Sequence, residues 1–202
     1  MAIVVAILGA SGSGKSHLVS SLTSKVMVGN VAVLRVDDYY RDLTHLSFAE
    51  RDLINFDHPG AIEFERLVND LESLKSGKEI QVPVYDFTQH TRSAHSELVT
   101  PADMILLEGV LAMSDSATRE LVDYTIFVDT SLDICLDRRI RRDAVQRGRS
   151  ETSVRDFWET RAEPMFLQFV RPWRSEAHLV IDGSQSFDDE LARVAEWLQA
   201  RI

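Results

Sequence analysis

Gly9-Ala10-Ser11-Gly12-Ser13-Gly14-Lys15-Ser16 decides how the rest of the chain is read. It follows the apolar run Ile3-Val4-Val5-Ala6-Ile7-Leu8 and leads into His17-Leu18-Val19-Ser20-Ser21-Leu22, whose apolar residues have helical spacing. Strand, glycine-rich turn and helix in that order fit the pattern G-x-x-x-x-G-K-[ST]. The chemistry explains the residue types. Glycines let the backbone curl so that successive N–H groups converge on phosphate oxygens. A helix beginning at about Lys15 adds the positive end of its dipole. Lys15 has the reach for β- and γ-phosphates, and the Ser16 hydroxyl suits Mg²⁺. At average amino-acid usage the four fixed positions match by accident in on the order of 1% of chains this long. The stretch Gly9 to Ser16, with His17 behind it, predicts a nucleoside triphosphate site.

Composition narrows the class. The 202 residues are 45% hydrophobic, enough for one core and a single α/β domain over 1–202. Net charge is −10, which argues against nonspecific nucleic-acid or anionic-membrane binding. The one cysteine, Cys135, excludes an internal disulfide and a thiolate cluster, fits a reducing compartment and reads as a core filler. No basic leader precedes the first strand and no apolar run approaches membrane-spanning length, so the expectation is a soluble cytoplasmic protein.

Further along, Val31 to Val36 reads as a second buried strand ending at Asp37-Asp38. Residues 41–100 are mixed and read as an insertion beside the site. They hold a polar helix near Ser47 to Asn55, an amphipathic helix near Ile62 to Lys75 stopped by Gly77, and a hairpin of Ile80 to Tyr85 with Ser96 to Val99. Met104 to Gly109 and Tyr124 to Val128 are further strands, separated by a short helix at 116–122. A basic helix from Ser131 to Val145, another through about Arg161, a strand at Leu179 to Ile181 and a helix from Phe187 complete the chain. Alternation of strands and helices predicts a parallel five-stranded sheet with helices on both faces.

In such sheets ligands gather at the carboxyl ends of strands. The first three strands end at the glycine loop, at Asp37-Asp38 and at Glu108, so three useful groups converge. Glu108 after an apolar run suits Mg²⁺, directly or through water. Asp37 offers a carboxylate opposite the γ-phosphate, where a substrate hydroxyl would wait and lose its proton, while Asp38 caps the next segment. Six arginines lie among the twelve residues 138–149 of an otherwise acidic chain. Arg138 and Arg142 share a helix face, and the run reads as an arginine lid over residues 138–163, with some members pairing to Asp133 and Asp137. The segment Pro83 to Arg92 mixes aromatic and hydrogen-bonding groups and suits a flat heterocycle stacked on a ring and read at its edge.

Together these stretches resemble the uridine–cytidine kinase family of P-loop kinases. The likeness runs from Ile3 to about Ile181, and Asn55-Phe56-Asp57-His58-Pro59 and Pro83-Val84-Tyr85-Asp86-Phe87-x-x-His90-x-Arg92 are its specific parts. The resemblance implies that Asp37 is the base on a nucleoside 5′-hydroxyl. It implies that Tyr40, Asp57 and Arg142 frame the ribose, and that Tyr85, Phe87 and His90 bind the pyrimidine with Arg149 closing over it. Arg139 and Arg147 would work with the phosphates. ATP or GTP with Mg²⁺, a homotetramer and a place in cytoplasmic pyrimidine salvage are also implied. Three positions depart from the family pattern. Phe157-Trp158 replaces a usual Gln-Tyr pair, Glu163 stands where a basic residue is usual, and Asp182-Gly183-Ser184 replaces a Pro-Arg-Gly loop near the donor base.

Two other readings share parts of the pattern. Asp57-His58-Pro59-Gly60 matches the D-x-x-G of nucleotide switches, but it follows no buried strand and the chain has no N-K-x-D. Kinases of other small alcohols, related to phosphoribulokinase or pantothenate kinase, would share the loop, Asp37 and the lid. They would not need the Tyr85–Phe87–His90 platform.

Overall fold

A computed structural model describes residues 2–26, 30–185 and 188–201. In chain order the strands are β1 (Ile3–Leu8), β2 (Val31–Arg35), β3 (Ile80–Asp86), β4 (Thr91–Val99), β5 (Met104–Glu108), β6 (Tyr124–Asp129) and β7 (Leu179–Asp182). The α-helices are α1 (Lys15–Ser21), α2 (Phe48–Asp52), α3 (Phe64–Lys75), α4 (Ser116–Leu121), α5 (Leu132–Arg147), α6 (Glu151–Phe157), α7 (Glu163–Phe169) and α8 (Asp188–Gln199).

Five strands form a parallel sheet in the order β2-β5-β1-β6-β7. The alternation of β1 sorts its neighbours between two faces. Val4, Ala6 and Leu8 pack with the leucines of α3 and with Trp158 and Phe166. Val5 and Ile7 face the other way, against Leu18, Val19 and Leu22 and against Leu191, Val194 and Leu198 of α8. Helices therefore cover both faces, as the apolar runs predict. The stretch 41–100 divides: Leu67, Leu71 and Leu74 of α3 join the sheet's core, while α2 buries none of its residues. The antiparallel hairpin β3–β4 stands apart from the main sheet.

Among the boundaries that differ from the sequence reading, three have a local reason. β4 begins at Thr91 rather than Ser96, because its mostly exposed polar residues carry no alternation to betray a strand. The helix near Arg161 does not end there. A π-turn over Trp158–Ala162 joins α6 to α7, and Pro164, which has no N–H to donate, comes just after that break in the regular hydrogen-bond pattern. Val36 leaves β2 for a 3-10 turn, Val36–Tyr39, that presents Asp37. Phe187 lies outside the described residues.

The register fixes the site. Leu34 and Ala6 both pair with Leu107, and Arg35 and Ile7 both pair with Glu108. β1, β2 and β5 therefore end level, and the glycine loop, Asp37 and Glu108 emerge side by side. No helix among the described residues is long and apolar enough to cross a membrane.

Candidate active site

The glycine loop is held by its neighbours' backbone. Gly9 and Gly12 have φ of 144° and 85°. A Cβ at Gly12 would lie 2.3 Å from the Cys135 carbonyl oxygen, and one at Gly9 would lie 2.5 Å from that of Val128. Only glycine fits either place. Thr130 Oγ1 donates to the Ser13 carbonyl at 2.9 Å. Arg138 spans the same region, donating to Gly183 O at 2.8 Å and to Ser13 O at 3.3 Å. Ala10 is buried, and Gly14 caps α1, whose first residue is Lys15. Cys135 is buried beside the loop, and burial pushes its thiol up to about 11, in keeping with a filler role.

Lys15 is buried and donates through Nζ to Gly9 O at 3.1 Å and Ala10 O at 2.9 Å. Burial lowers its pKa, while Glu108 and Asp37 favour its charge. Ser16 Oγ donates to Glu108 Oε1 at 3.0 Å. That contact pairs a hydroxyl with a carboxylate beside a phosphate-sized cradle, a donor set of the kind a hard divalent cation takes. The cavity here has a volume of 250 Å³, and Gly14, Lys15, Ser16, His17, Glu108 and Arg138 are among its walls.

A second, narrower cavity of 60 Å³ abuts it, walled by Tyr40, Asp57, Tyr85, Phe87, His90 and four arginines of the run, Arg139, Arg142, Arg147 and Arg149. Ser11, Asp37, Val110 and Arg142 line both cavities. Asp37 thus stands on the seam. Burial and then Glu108 raise its carboxyl pKa, against the pull of Lys15 and Arg147. Burial also raises Asp38, to about 6, with Arg35 opposing, but Asp38 lines neither cavity.

The walls of the second cavity are rings packed on one another. Tyr40 meets Phe56 edge-on at 5.3 Å and Tyr85 at 5.0 Å, and Tyr85 meets Phe87 at 5.1 Å. His90 stacks on Phe56 at 5.3 Å with planes 19° apart. Arg149 approaches His90 Nε2 at 3.2 Å. A guanidinium only donates, so Nε2 accepts and Nδ1 carries the proton. Burial, then Arg149, lowers the pKa of His90 against the pull of Asp52, and the lowered value favours the neutral ring. His90 also has the one positive φ, 52°, among described non-glycine residues. The Tyr85 hydroxyl is buried without a hydrogen-bond partner among the described residues.

The arginines divide differently from the sequence pattern. Arg139 and Arg147, assigned by resemblance to the phosphates, line the narrow cavity and not the wide one. Arg142, assigned to the sugar, lines both. Helix phase is the reason: Arg138 and Arg142 form one stripe of α5 facing the glycine loop, and Arg139, Asp143 and Arg147 form the next. The carboxylate that gathers them is fully buried Asp143, rather than Asp133 or Asp137. Asp143 sits 2.8 Å from Arg142, 3.5 Å from Arg147 and 3.6 Å from Arg139. Burial alone would raise its pKa, but Arg142 and Arg147 hold it below the usual range. Arg139 also reaches Asp57 at 3.6 Å. Arg147 lies 4.6 Å over the Phe87 ring, so the face expected to stack a heterocycle is covered by a guanidinium. Asp143 joins the site without having been singled out, while Phe56 was read only as part of a family-like stretch, Arg138 only as a member of the arginine run, and Phe157 only as a departure from the family pattern. Only Arg138, by its i,i+4 spacing to Arg142, carried a local signal.

A model of the phosphoribulokinase / uridine kinase family matches residues 4–188. The chain is 43% identical over 183 residues to a uridine kinase of Cronobacter sakazakii, covering 89% of this chain and 86% of that one. It is 41% identical, with the same coverage, to a uridine kinase of Haemophilus influenzae. Among solved structures it is similar to phosphoribulokinase from Rhodobacter spheroides, with TM-score 0.65 and 17% identity over 93% of this chain and 74% of that one. That last likeness concerns the fold alone. A glycine loop between β1 and α1, carboxylates at the end of β5 and in the turn after β2, and a match over nearly the whole length make this chain a member of the phosphoribulokinase / uridine kinase family.

Proposed function

We propose that the chain is a pyrimidine nucleoside kinase, moving the γ-phosphoryl of ATP or GTP to the 5′-hydroxyl of uridine or cytidine. The observation that carries this reading is Asp37 on the seam between a phosphate-sized cavity and an aromatic one. A group there can orient the hydroxyl in line with the phosphoryl and take its proton as the new O–P bond forms and the bond to the leaving diphosphate breaks. Lys15 and Arg142 face the transferring charge, with donors fixed before the reaction begins. Mg²⁺, held by Ser16 and Glu108, would neutralise the β- and γ-phosphate oxygens when bound.

On the acceptor side Asp57 takes hydrogen bonds from sugar hydroxyls, with Arg139 beside it and Tyr40 below. Tyr85, Phe87, His90 and Arg149 receive the base. His90 Nε2 is occupied by Arg149, which leaves Nδ1–H as the imidazole's donor. Uracil and cytosine share the O2 acceptor, so one neutral imidazole serves both. A purine must also find room for a second ring. The acceptor cavity is narrow, and in this reading the 138–163 lid parts from the hairpin and the Phe56 loop on entry and closes behind the nucleoside, while α3 stays in the sheet's core. From the family resemblance we extend the reading to a cytoplasmic homotetramer serving pyrimidine salvage.

A thermal-shift panel of uridine, cytidine, ribulose 5-phosphate and pantothenate tests the acceptor class, since a ligand stabilises the state that binds it. Uridine and cytidine should raise the melting temperature. A shift with ribulose 5-phosphate or pantothenate and none with the nucleosides would reassign the chain to another alcohol kinase.

A further inference from the structure

The ring of Phe157, at the C-terminal end of α6, has three guanidinium groups around it. Arg139 lies 5.2 Å from its centroid, Arg149 5.3 Å and Arg161 5.0 Å, all within cation–π range. The first two belong to separate parts of the acceptor cavity. Arg149 meets His90 at 3.2 Å, and Arg139 meets Asp57 at 3.6 Å. The third donates to the carbonyls of Leu53 and Ile54, at 3.2 and 3.4 Å, just beyond α2. Phe157 itself lines the acceptor cavity.

A ring holds a guanidinium in a way that a carboxylate does not. The contact is with the π-face, and the five N–H donors in the guanidinium plane are not consumed. Arg139 bears this out: its side chain is only 6% exposed, with the Trp158 ring 5.9 Å from it as well, yet Nε and Nη1 have no hydrogen-bond partner among the described residues. Nε faces the buried Asp143 carboxylate at 3.6 Å, so Nη1 is the donor held in place and kept available. One ring also fixes the two arginines relative to each other, although their like charges repel.

We propose that Phe157 is a specificity-determining positioning residue, setting the spacing between the Arg149–His90 pair at the base and the Arg139–Asp57 pair at the sugar. The inference rests on the nucleoside kinase reading. It makes the acceptor a molecule that must span both pairs at once, and it gives the site's tolerance for base size to a side chain that is itself apolar.

Phe157→Leu and Phe157→Met keep apolar volume but remove the ring, whereas Phe157→Tyr keeps the ring. Steady-state kinetics with uridine and adenosine, with a melting curve for each variant, separates spacing from filling. Removing the ring loses three cation–π contacts, and the loss of the two to Arg139 and Arg149 should raise KM for uridine by about tenfold in the Leu and Met variants. Their kcat should stay within about threefold, the signature of lost binding that is shared by ground and transition states. The uridine-to-adenosine ratio of kcat/KM should narrow, and Phe157→Tyr should behave as wild type. An unchanged KM in a folded Leu or Met variant would overturn the inference, as would a Tyr variant as poor as Leu. Failure of both Leu and Met to fold would also overturn it, since the ring would then be a structural filler. A wild-type enzyme that does not phosphorylate uridine would instead defeat the proposed function.

Discussion

The two cavities that meet at Asp37 are built by opposite means. The donor side is backbone: Gly12 rests against the Cys135 main chain where a Cβ would come within 2.3 Å, and Thr130 and Arg138 grip the loop's carbonyls. The acceptor side is side chain on side chain, with Tyr40, Phe56, Tyr85 and Phe87 leaning on one another and Arg147 covering a ring. Backbone packing of that kind has one solution, so the donor cradle exists before any ligand arrives. Rings and guanidinia can be rearranged by rotamer changes alone, and the proposed function asks the acceptor cavity to open and close in that way. A phosphate is the same in every nucleotide and rewards a fixed cradle. An acceptor must be chosen, and choosing is done where groups can move.

The largest effect should come from the seam itself. Asp37→Asn keeps shape but is a poor base, and kcat should fall by about 10²–10⁴-fold, with Asp38→Asn mattering much less. The reverse ranking would move the seam. The pH profile follows from the same carboxyl. Its folded pKa is raised, so turnover should fall as pH drops through that raised value and the base becomes protonated. The stability consequence has the opposite sign. A carboxyl raised on folding favours the fold while protonated and loses that contribution as pH rises through the folded pKa. Asp37→Asn should therefore melt higher than wild type at pH 7 while turning over far more slowly. A lower melting temperature would mean that the charge is stabilising.

Lys15→Ala comes next, on the donor side. If Lys15 meets the transferring phosphoryl, its loss should cost about 10²–10³-fold in kcat, comparable to deleting one preorganised donor to a developing charge. Folding should survive, because burial disfavours the Lys15 charge in the ligand-free protein. Near-normal turnover would dissolve the contrast between the two cavities.

His90→Ala, on the acceptor side, should be milder. It leaves base atoms without a partner and removes the ring stacked on Phe56, so kcat/KM for uridine and cytidine should both fall by about tenfold or somewhat more. A loss confined to one of the two nucleosides would show that His90 discriminates between them instead of serving both.

The same contrast explains what was legible in the sequence. The donor side is contiguous: strand, glycines, lysine and helix follow one another within 3–22, and the carboxylates at 37 and 108 declare themselves by closing apolar runs. The sheet and its two covered faces were equally legible, because buried strands read as unbroken apolar stretches. The acceptor side depends on which distant residues meet. Phe56 is marked only by the stretch it belongs to until it stacks on His90, and Phe157 only by its departure from the family pattern until three arginines surround it. The arginines were visible as a run, but only the phase of α5 decides which of them face the loop and which face Asp57. Asp143 was hidden for the same reason, as one acid among several until burial and three guanidinia single it out.

The central claim is that a fixed phosphate cradle is joined at Asp37 to a cavity selecting pyrimidine nucleosides. Steady-state phosphorylation of uridine, cytidine, deoxyuridine, adenosine and guanosine tests it most directly. Uridine and cytidine should both turn over, within about tenfold of each other in kcat/KM, a difference of no more than about 1.4 kcal/mol. The purine nucleosides should be poorer by a wider margin, and deoxyuridine should lag behind uridine by an amount that Asp57→Ala reduces. Adenosine turning over as well as uridine would contradict the account.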